Sequence, residues 1–153
     1  MRVSRRCEYA LRALLELGLQ KPGGRPLTVG QIARAQRVPE GVLANLLVLL
    51  KRAKLVTSVQ GARGGFYLAK KPAEITLGEV LRLIDGPVAV APIKCLAGER
   101  PKECAESECS YYDVWGEVRD AISRIVDATT LENVIDRSRS QREGRPIQIM
   151  YYI

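Results

Sequence analysis

The amino-acid sequence predicts a mainly α-helical fold with one small β-hairpin. Apolar residues recur at three- and four-residue steps over most of the chain, which is the spacing of amphipathic helices. Two stretches rich in proline and glycine, KPGGRP and GARGG, interrupt these segments. A short β-rich run lies on each side of GARGG, as in a hairpin. With 153 residues, 46% of them hydrophobic, the chain suits one compact domain or a small domain with an added element.

The first predicted helix covers residues 3–20. The N-terminus is basic and then apolar, but Glu8, Arg12 and Glu16 interrupt its apolar part and no small-residue cleavage site is present. These features indicate an amphipathic helix rather than a signal peptide. The longest apolar run, VLANLLVLL, is too short to cross a bilayer. We therefore expect a cytoplasmic protein without a membrane partner, in a compartment that keeps thiols reduced.

Two short helices follow, separated by a tight turn. Thr28 and Gln31 form a capping-box pattern at the start of the first, over 29–36, and Pro39 suits the first position of the second, over about 39–53. A helix pair whose second member keeps its outer face free is a helix-turn-helix. In the second helix Leu43, Leu46, Leu47 and Leu50 are expected to face the core, and Glu40, Gly41, Ala44, Asn45, Val48 and Lys51 the outside.

A β-hairpin is predicted directly after this helix. LVTSVQ and FYLAK are the two strands, and GARGG is the turn between them. A basic hairpin in this position is a wing, so the sequence predicts a winged helix-turn-helix. Arg63 is expected at the tip, where glycines allow the backbone to approach phosphates or the minor groove.

The segment after Pro72 begins with a further helix. Thr76 and Glu79 form a second capping-box pattern, and Gly86 ends the helix after about Asp85. The residues from 87 to 109 are loop-like. The four residues of this helix that are expected to be buried are Leu77, Val80, Leu81 and Ile84.

A long helix is predicted from about Ser110 to Arg137. Apolar residues spaced seven apart favour a coiled-coil-like seam along it. Such a seam needs a partner, and a two-fold homodimer is the simplest one. The seam consists of two series, Tyr111, Val118 and Ile125, and Trp115, Ile122 and Thr129.

Charge divides the chain into two unlike halves. Residues 1–72 contain 14 Lys and Arg against three acids, a net charge of +11, whereas 73–153 contain 10 against 14, a net charge of −4. A basic half with a winged helix-turn-helix predicts binding to double-stranded DNA. We therefore assign a winged helix-turn-helix DNA-binding domain to 1–86, a cysteine-bearing sensor loop to 87–109, and a dimerisation helix with a C-terminal tail to 110–153.

The absence of histidine limits the chemistry of the chain. It excludes Ser/His/Asp and Cys/His catalysis, and zinc fingers that use histidine. No paired-carboxylate motif or glycine-rich phosphate loop is present either. We therefore expect no enzymatic activity and no catalytic residues.

Three of the four cysteines lie within KCLAGERPKECAESECS, at 94–110. Their spacing, Cys-x8-Cys-x4-Cys, is not a familiar zinc pattern. The surrounding glutamates disfavour the thiolate form, which argues against a simple reactive cysteine. From the residues alone, a metal site and unliganded thiols both remain open.

Residues 32–86, together with EYALRAL in the first helix, resemble the Rrf2 family of bacterial winged helix-turn-helix regulators. The wing LVTSVQGARGGFYLAK and the following EITLGEVLRLIDG are the most specific marks of this family. The resemblance extends over almost the whole chain, including the cysteine loop and the long helix. It implies a homodimeric transcriptional regulator, which we expect to be a repressor, bound to a pseudo-palindromic DNA operator.

The resemblance also implies a cofactor. Several members hold a 2Fe–2S cluster with three cysteines in this loop and sense redox state, nitric oxide or iron–sulfur status. Cys95, Cys104 and Cys109 match that trio in place and number, with a longer first gap. In one type an N-terminal-helix carboxylate of the other subunit completes the site, and Glu8 stands there; Cys7 is the alternative fourth ligand. Zinc on the three cysteines and Glu8, or unliganded thiols, are the rival interpretations.

The residues expected to contact the operator lie on the helix-turn-helix and the wing. The family's usual tyrosine and acidic or amide residue on the second helix are replaced here by Val42, Ala44 and Asn45. Asn45 suits adenine, Gln60 suits a base edge or a phosphate, and basic residues position phosphates. The expected set is Arg37, Glu40, Asn45, Lys51, Lys54, Gln60 and Arg63. A thiol or metal scaffold that binds proteins through the long helix is the alternative; its DNA binding would be weak and nearly independent of salt.

Overall fold

The computed structural model describes residues 3–21, 24–61, 64–88 and 106–142, excepting the side chains of 106–113. Within these ranges the chain forms six α-helices, a two-stranded antiparallel sheet and one 3-10 turn at Pro72–Glu74, which confirms the predicted fold class. The helices are α1 (Arg5–Gly18), α2 (Val29–Gln36), α3 (Glu40–Arg52), α4 (Leu77–Asp85), α5 (Glu106–Ala128) and α6 (Leu131–Arg142), and the strands are β1 (Val56–Val59) and β2 (Gly65–Leu68).

Helix α1 is the centre of the fold. Ser4 caps its N-terminus, because the Ser4 hydroxyl accepts a hydrogen bond from the Cys7 backbone N–H at 3.1 Å. The helix packs against α2, α3, α4 and α6. Its buried face therefore joins the helix-turn-helix to the C-terminal helices. That face consists of Cys7, Ala10, Ala13, Leu14 and Leu17.

The helix-turn-helix forms as predicted. Both halves of the first capping box are present: Gln31 N–H donates to the Thr28 hydroxyl at 3.2 Å, and Thr28 N–H donates to Gln31 Oε1 at 2.8 Å. Helix α3 begins at Glu40 rather than at Pro39, which is the N-cap. The predicted core leucines of α3 are buried: Leu43, Leu46, Leu47 and Leu50.

The predicted hairpin is confirmed as β1 and β2, with Val56 opposite Leu68 and Val59 opposite Gly65. The preceding loop pairs with it, since Leu27 and Phe66 exchange backbone hydrogen bonds of 2.8 and 3.2 Å. A Cβ at Gly65 would lie 2.6 Å from the Leu27 carbonyl oxygen, so the close approach of the two backbones requires glycine. The hairpin is thereby fixed to the body of the domain.

The second predicted capping box is only half correct. Thr76 Oγ1 accepts from the Glu79 N–H at 3.1 Å, but the Glu79 carboxylate lies 2.9 Å from Lys70 Nζ and forms an ion pair there. The start of α4 is held from elsewhere, because Leu77 N–H donates to the Thr129 carbonyl at 2.9 Å. Of the four residues expected to be buried, Val80 and Leu81 are buried, whereas Leu77 and Ile84 are only half-buried.

The single long helix predicted for about 110–137 is wrong. Helix α5 ends at Ala128 and α6 begins at Leu131, so Thr129 and Thr130 separate two helices. Two backbone contacts with the start of α4 account for the break: Thr129 accepts from Leu77, and Leu131 N–H donates to the Ile75 carbonyl at 2.8 Å. The change of direction lets α6 bury Leu131 and Ile135 in the main core.

The predicted loop over 87–109 ends too late, since α5 already includes residues 106–109. Residues 89–105, the wing tip at 62–63 and the tail from 143 lie outside the described residues. No helix within the described ranges is long and apolar enough to cross a membrane.

Candidate nucleic-acid interface and sensor residues

The outer side of α3 is the candidate nucleic-acid interface. Because the four core leucines occupy one face, the remaining residues of the helix point away from the core. Asn45 and Lys51, both predicted to contact DNA, are exposed. The exposed residues of α3 are Glu40, Gly41, Val42, Asn45, Val48, Lys51 and Arg52.

The other predicted DNA contacts flank this helix. Arg37 lies in the turn before α3, Lys54 follows its end, and Gln60 follows β1; all three side chains are exposed. Lys51 Nζ donates to the Ser58 hydroxyl at 2.5 Å, which ties α3 to the wing. The structure thus places six of the seven predicted residues on α3, its two flanking turns and the wing strand. Arg63 lies outside the described residues.

Two of these basic residues adopt a left-handed backbone conformation. Arg37 has φ 53° and Lys54 has φ 59°, which is uncommon for residues other than glycine. Arg37 ends α2, where the following Val38 N–H donates to the Ala33 carbonyl at 2.9 Å. At Arg37 the left-handed conformation ends α2, and at Lys54 it follows the end of α3. The sequence analysis missed this feature, because neither residue carries a local signal for it.

Glu40 has a structural as well as a predicted binding role. It lies in the first turn of α3, where a negative charge is favourable to the helix dipole. A Cβ at Gly30 would lie 3.4 Å from the Glu40 carboxylate, so α2 approaches this carboxylate closely.

A chain of side-chain contacts links α1 to the turn between α2 and α3. Arg12 Nη2 donates to Glu8 Oε1 at 2.5 Å, and Arg12 Nη1 donates to the Gln36 carbonyl at 3.2 Å. Gln36 in turn donates through its side-chain amide to Glu16 at 2.7 Å. Glu8, a predicted metal ligand, is therefore connected through one side chain to the end of α2. The sequence analysis missed this connection, although the four-residue spacing of Glu8 and Arg12 allows their ion pair.

Cys7 is buried, as its apolar position in α1 suggests. Its side chain packs in a small cluster with Leu81 and Val88, to which Ile122 of α5 adds a contact. Burial first, and then the negative charge of Asp85, raise the pKa of the Cys7 thiol to about 11. Asp85 also accepts hydrogen bonds from both the N–H and the hydroxyl of Ser4. Cys7 is thus a neutral packing residue where α1, α4 and α5 meet.

The predicted three-cysteine site is not tested by the structure. Cys95 and Cys104 lie outside the described residues. Cys109 belongs to α5, but its side chain is not among those described. Among the described residues, no group of three or more Cys, Asp or Glu side chains is arranged to hold a metal ion. The cluster ligands stay a prediction.

Helix α5 has an exposed apolar face. Trp115 is 44% exposed, Val118 36% and Ile125 65%, and these residues belong to the predicted seam. Val114, 57% exposed, extends the face. Ile122 differs, because it packs on the Cys7 cluster of its own chain. The predicted seam is therefore split between an internal contact and a free surface.

An ion pair joins α5 to the DNA-binding half. Arg82 of α4 donates two hydrogen bonds to the Asp127 carboxylate, at 2.6 and 3.2 Å, and this contact raises the pKa of Arg82. A Cβ on Gly78 would overlap the Asp127 carboxylate at 1.8 Å, so the absence of a side chain at Gly78 leaves room for this ion pair. The ion pair is one of the contacts between α4 and α5.

Comparison with known proteins agrees with this arrangement. A family model named Rrf2 and described as iron-dependent transcriptional regulator matches residues 3–137. The HTH-type transcriptional regulator CymR of Bacillus subtilis is 31% identical over 153 residues, all of both chains. The solved structure of B. subtilis CymR, described as the global cysteine regulator, covers 90% of this chain and 98% of its own, with 28% identity and a TM-score of 0.75. The solved structure of T. potens IscR covers 97% of this chain and 93% of its own, with 27% identity and a TM-score of 0.70. The chain therefore belongs to the Rrf2 family of transcriptional regulators, and it is not an enzyme.

Proposed function

We propose that the protein is a homodimeric repressor whose binding to a pseudo-palindromic operator is controlled by a 2Fe–2S cluster. The observation that carries the proposal is the contact chain from Glu8 through Arg12 to the Gln36 carbonyl. It connects the proposed fourth ligand to the turn that positions α3. Duplex DNA is the partner, with α3 in the major groove and the wing beside it.

The exposed face of α5 supports the homodimer. Ile125 is 65% exposed and Trp115 44% exposed on α5, whereas Ile122 of the same helix packs against its own chain. Monomeric proteins rarely leave such side chains grouped in water. In a dimer with a two-fold axis, the exposed α5 faces of the two chains would cover each other, and the contact would set the distance between the two α3 helices.

The residues fit a labile cluster better with Glu8 than with Cys7 as fourth ligand. The Glu8 side chain is 49% exposed, and among the described residues it is held by the exposed Arg12 ion pair, which contributes about 0–1 kcal/mol and is readily exchanged. Cys7 is 0% exposed and lies inside an apolar cluster, so using it would open the packing between α1 and α4. Cys95, Cys104 and Cys109 complete the donor set. A carboxylate is a hard ligand for such a site, which suits a cluster that responds to redox state or nitric oxide.

Ligation of Glu8 gives a route by which the cluster controls DNA binding. If Glu8 held a cluster of the partner subunit together with three cysteines, its carboxylate would no longer be available to Arg12. Arg12 would then keep the Gln36 carbonyl as its partner, which would change the restraint on the turn before α3. Without that ligation Glu8 would keep its ion pair with Arg12 and would not tie the two subunits together.

Anaerobic purification tests the cluster directly. We expect a coloured protein with about two iron and two sulfide ions per chain. If the purified protein contains zinc and no iron, the result would contradict the cluster and support the rival zinc site. A colourless protein that resists reconstitution would contradict the cluster and favour unliganded thiols.

The similarity to CymR favours one second candidate, a regulator of the same fold without a cluster. CymR is described as a cysteine regulator, and its match covers the whole chain. In that case operator binding would respond to cysteine supply and not to iron. Iron analysis separates the two candidates.

A further inference from the structure

We infer that α3 recognises adenine–thymine base pairs of the operator through two neighbouring side chains. Asn45 contacts an adenine, and Val48 contacts the 5-methyl group of a thymine. The inference rests on the proposed binding of operator DNA and specifies its sequence preference. It assigns a function to Val48, the more exposed of two exposed valines of α3, which is not among the residues predicted to contact DNA.

Helical geometry places both side chains at the centre of the free face. Each residue advances about 100° around the helix axis. The core leucines define the buried direction, and the residues four, seven and eleven positions after Gly41 point the opposite way. This outward row consists of Gly41, Asn45, Val48 and Arg52, all of them exposed.

Val48 offers an apolar side chain to any partner of the outer face of α3. Its side chain is 49% exposed in the middle of α3, where it adds nothing to the core. A β-branched residue also forms helix less readily than alanine or a long polar residue would. The thymine methyl is the apolar feature of the major groove, and small apolar side chains contact it.

Asn45 lies one turn before Val48 on the same row. Its amide offers one donor and one acceptor, which match N7 and N6 of adenine in a bidentate contact. Arg52 is the one basic residue of the row, and it is the last residue of α3. Because the N-terminal part of a recognition helix contacts the bases, Arg52 is placed for phosphate and not for guanine.

Gly41 is consistent with close approach of DNA at the start of the row. A Cβ there would meet no atom within 4 Å, so the fold itself does not require glycine. The absence of a side chain lets the backbone of the first turn approach the groove. Exposed basic residues on both sides of the row give the charge that a duplex requires, namely Arg37, Lys51 and Lys54.

Selection from a pool of randomised duplexes, followed by titration of the consensus, tests the inference. We expect each half-site to contain an adenine and a nearby thymine. Replacing that thymine with deoxyuridine removes one methyl group and should weaken binding by the wild-type protein about fourfold per half-site. Asn45→Ala should weaken binding roughly 5- to 150-fold and abolish the preference for adenine.

Val48→Ala is the decisive variant. It should lose most of the difference between the thymine and the deoxyuridine duplex, because the shorter alanine side chain keeps less contact with the methyl group, whereas the matched control Val3→Ala, at another exposed valine, should keep the full difference. Thermal unfolding of both variants checks that the fold is intact. A Val48→Ala protein that prefers thymine over deoxyuridine as strongly as the wild type would overturn the inference. A wild-type protein that enriches no sequence from the pool would instead contradict DNA binding itself.

Discussion

The two halves of the molecule treat their apolar residues differently. In α1 to α4 and the hairpin, apolar side chains from every element meet in one cluster around Leu14, Leu43 and Leu47. In α5, Trp115 and Ile125 remain exposed. The first half is basic and its apolar side chains are covered, with Leu131 and Ile135 of α6 completing the core, so its free surface suits a polyanion. The second half is acidic overall and lacks a partner for its apolar face. The two halves therefore suit two different kinds of contact: DNA for the first half and, under the proposed function, a second copy of the chain for the second.

Ile125→Glu should break the second contact with the largest effect. The side chain is already 65% exposed, so the charge should leave the fold of the single chain intact. It should convert the dimer to monomers and weaken operator binding by about 100-fold or more, because two half-sites are no longer bound together. Sedimentation and gel-shift titration measure the two effects. Glu117→Gln, an exposed polar position of the same helix, is the control, and a dimeric Ile125→Glu protein would show that α5 is not the interface.

Glu8→Ala and Cys7→Ala should separate the two candidate ligands. We expect Glu8→Ala to lose iron during anaerobic gel filtration with little change in stability, since the Arg12 ion pair is exposed. Cys7→Ala should keep its iron but lose roughly 1 kcal/mol of unfolding free energy, because it leaves a small cavity in the buried cluster. Iron analysis and urea unfolding of both variants provide the measurement. Loss of iron from Cys7→Ala, with iron retained by Glu8→Ala, would instead show that Cys7 is the ligand.

Arg37→Gly should affect the two properties of the first half in opposite directions. Glycine relieves the left-handed conformation at φ 53° and should raise the unfolding free energy by up to about 1 kcal/mol. It also removes one phosphate contact, so the salt dependence of binding should become shallower by about 1 per half-site. Urea unfolding and binding titrations at several salt concentrations test both. An unchanged salt dependence would show that Arg37 does not contact a DNA phosphate.

Gly41→Ala should have a small, favourable effect on the stability of the free protein. The added methyl group meets open space, and alanine favours the helix by roughly 0.5–1 kcal/mol over glycine. We expect a slightly more stable protein that binds the selected duplex more weakly, as measured by thermal unfolding and gel shift. Equal binding by both proteins would mean that the first turn of α3 stays clear of the DNA.

The first half could be predicted from the sequence because its signals are local. The capping residues Thr28 and Gln31 and the leucine period of α3 depend on neighbours within one or two turns. The break at Thr129 could not be predicted in this way, since it results from hydrogen bonds with Ile75 and Leu77, more than 50 residues earlier. The prediction of one long helix rested on the assumption that an uninterrupted helical pattern forms a single straight helix.

The candidate site divides along the same line. Exposure of Asn45 and Lys51 follows from the buried leucines of the same helix, so both were predicted. The contact between Arg12 and the Gln36 carbonyl joins residues 24 apart, and only the packing of α1 on α2 brings them together. The left-handed turn at Arg37 likewise depends on how α2 meets α3.

Operator binding by one sample in two cluster states tests the central claim most directly. Anaerobically purified protein should be titrated against its selected duplex, and again after nitric oxide has destroyed the cluster, over a range of salt concentrations. We expect a change in affinity of about tenfold or more between the two states, with a steep salt dependence in the binding state. Equal affinity in both states would contradict control by the cluster, even if the protein contains iron.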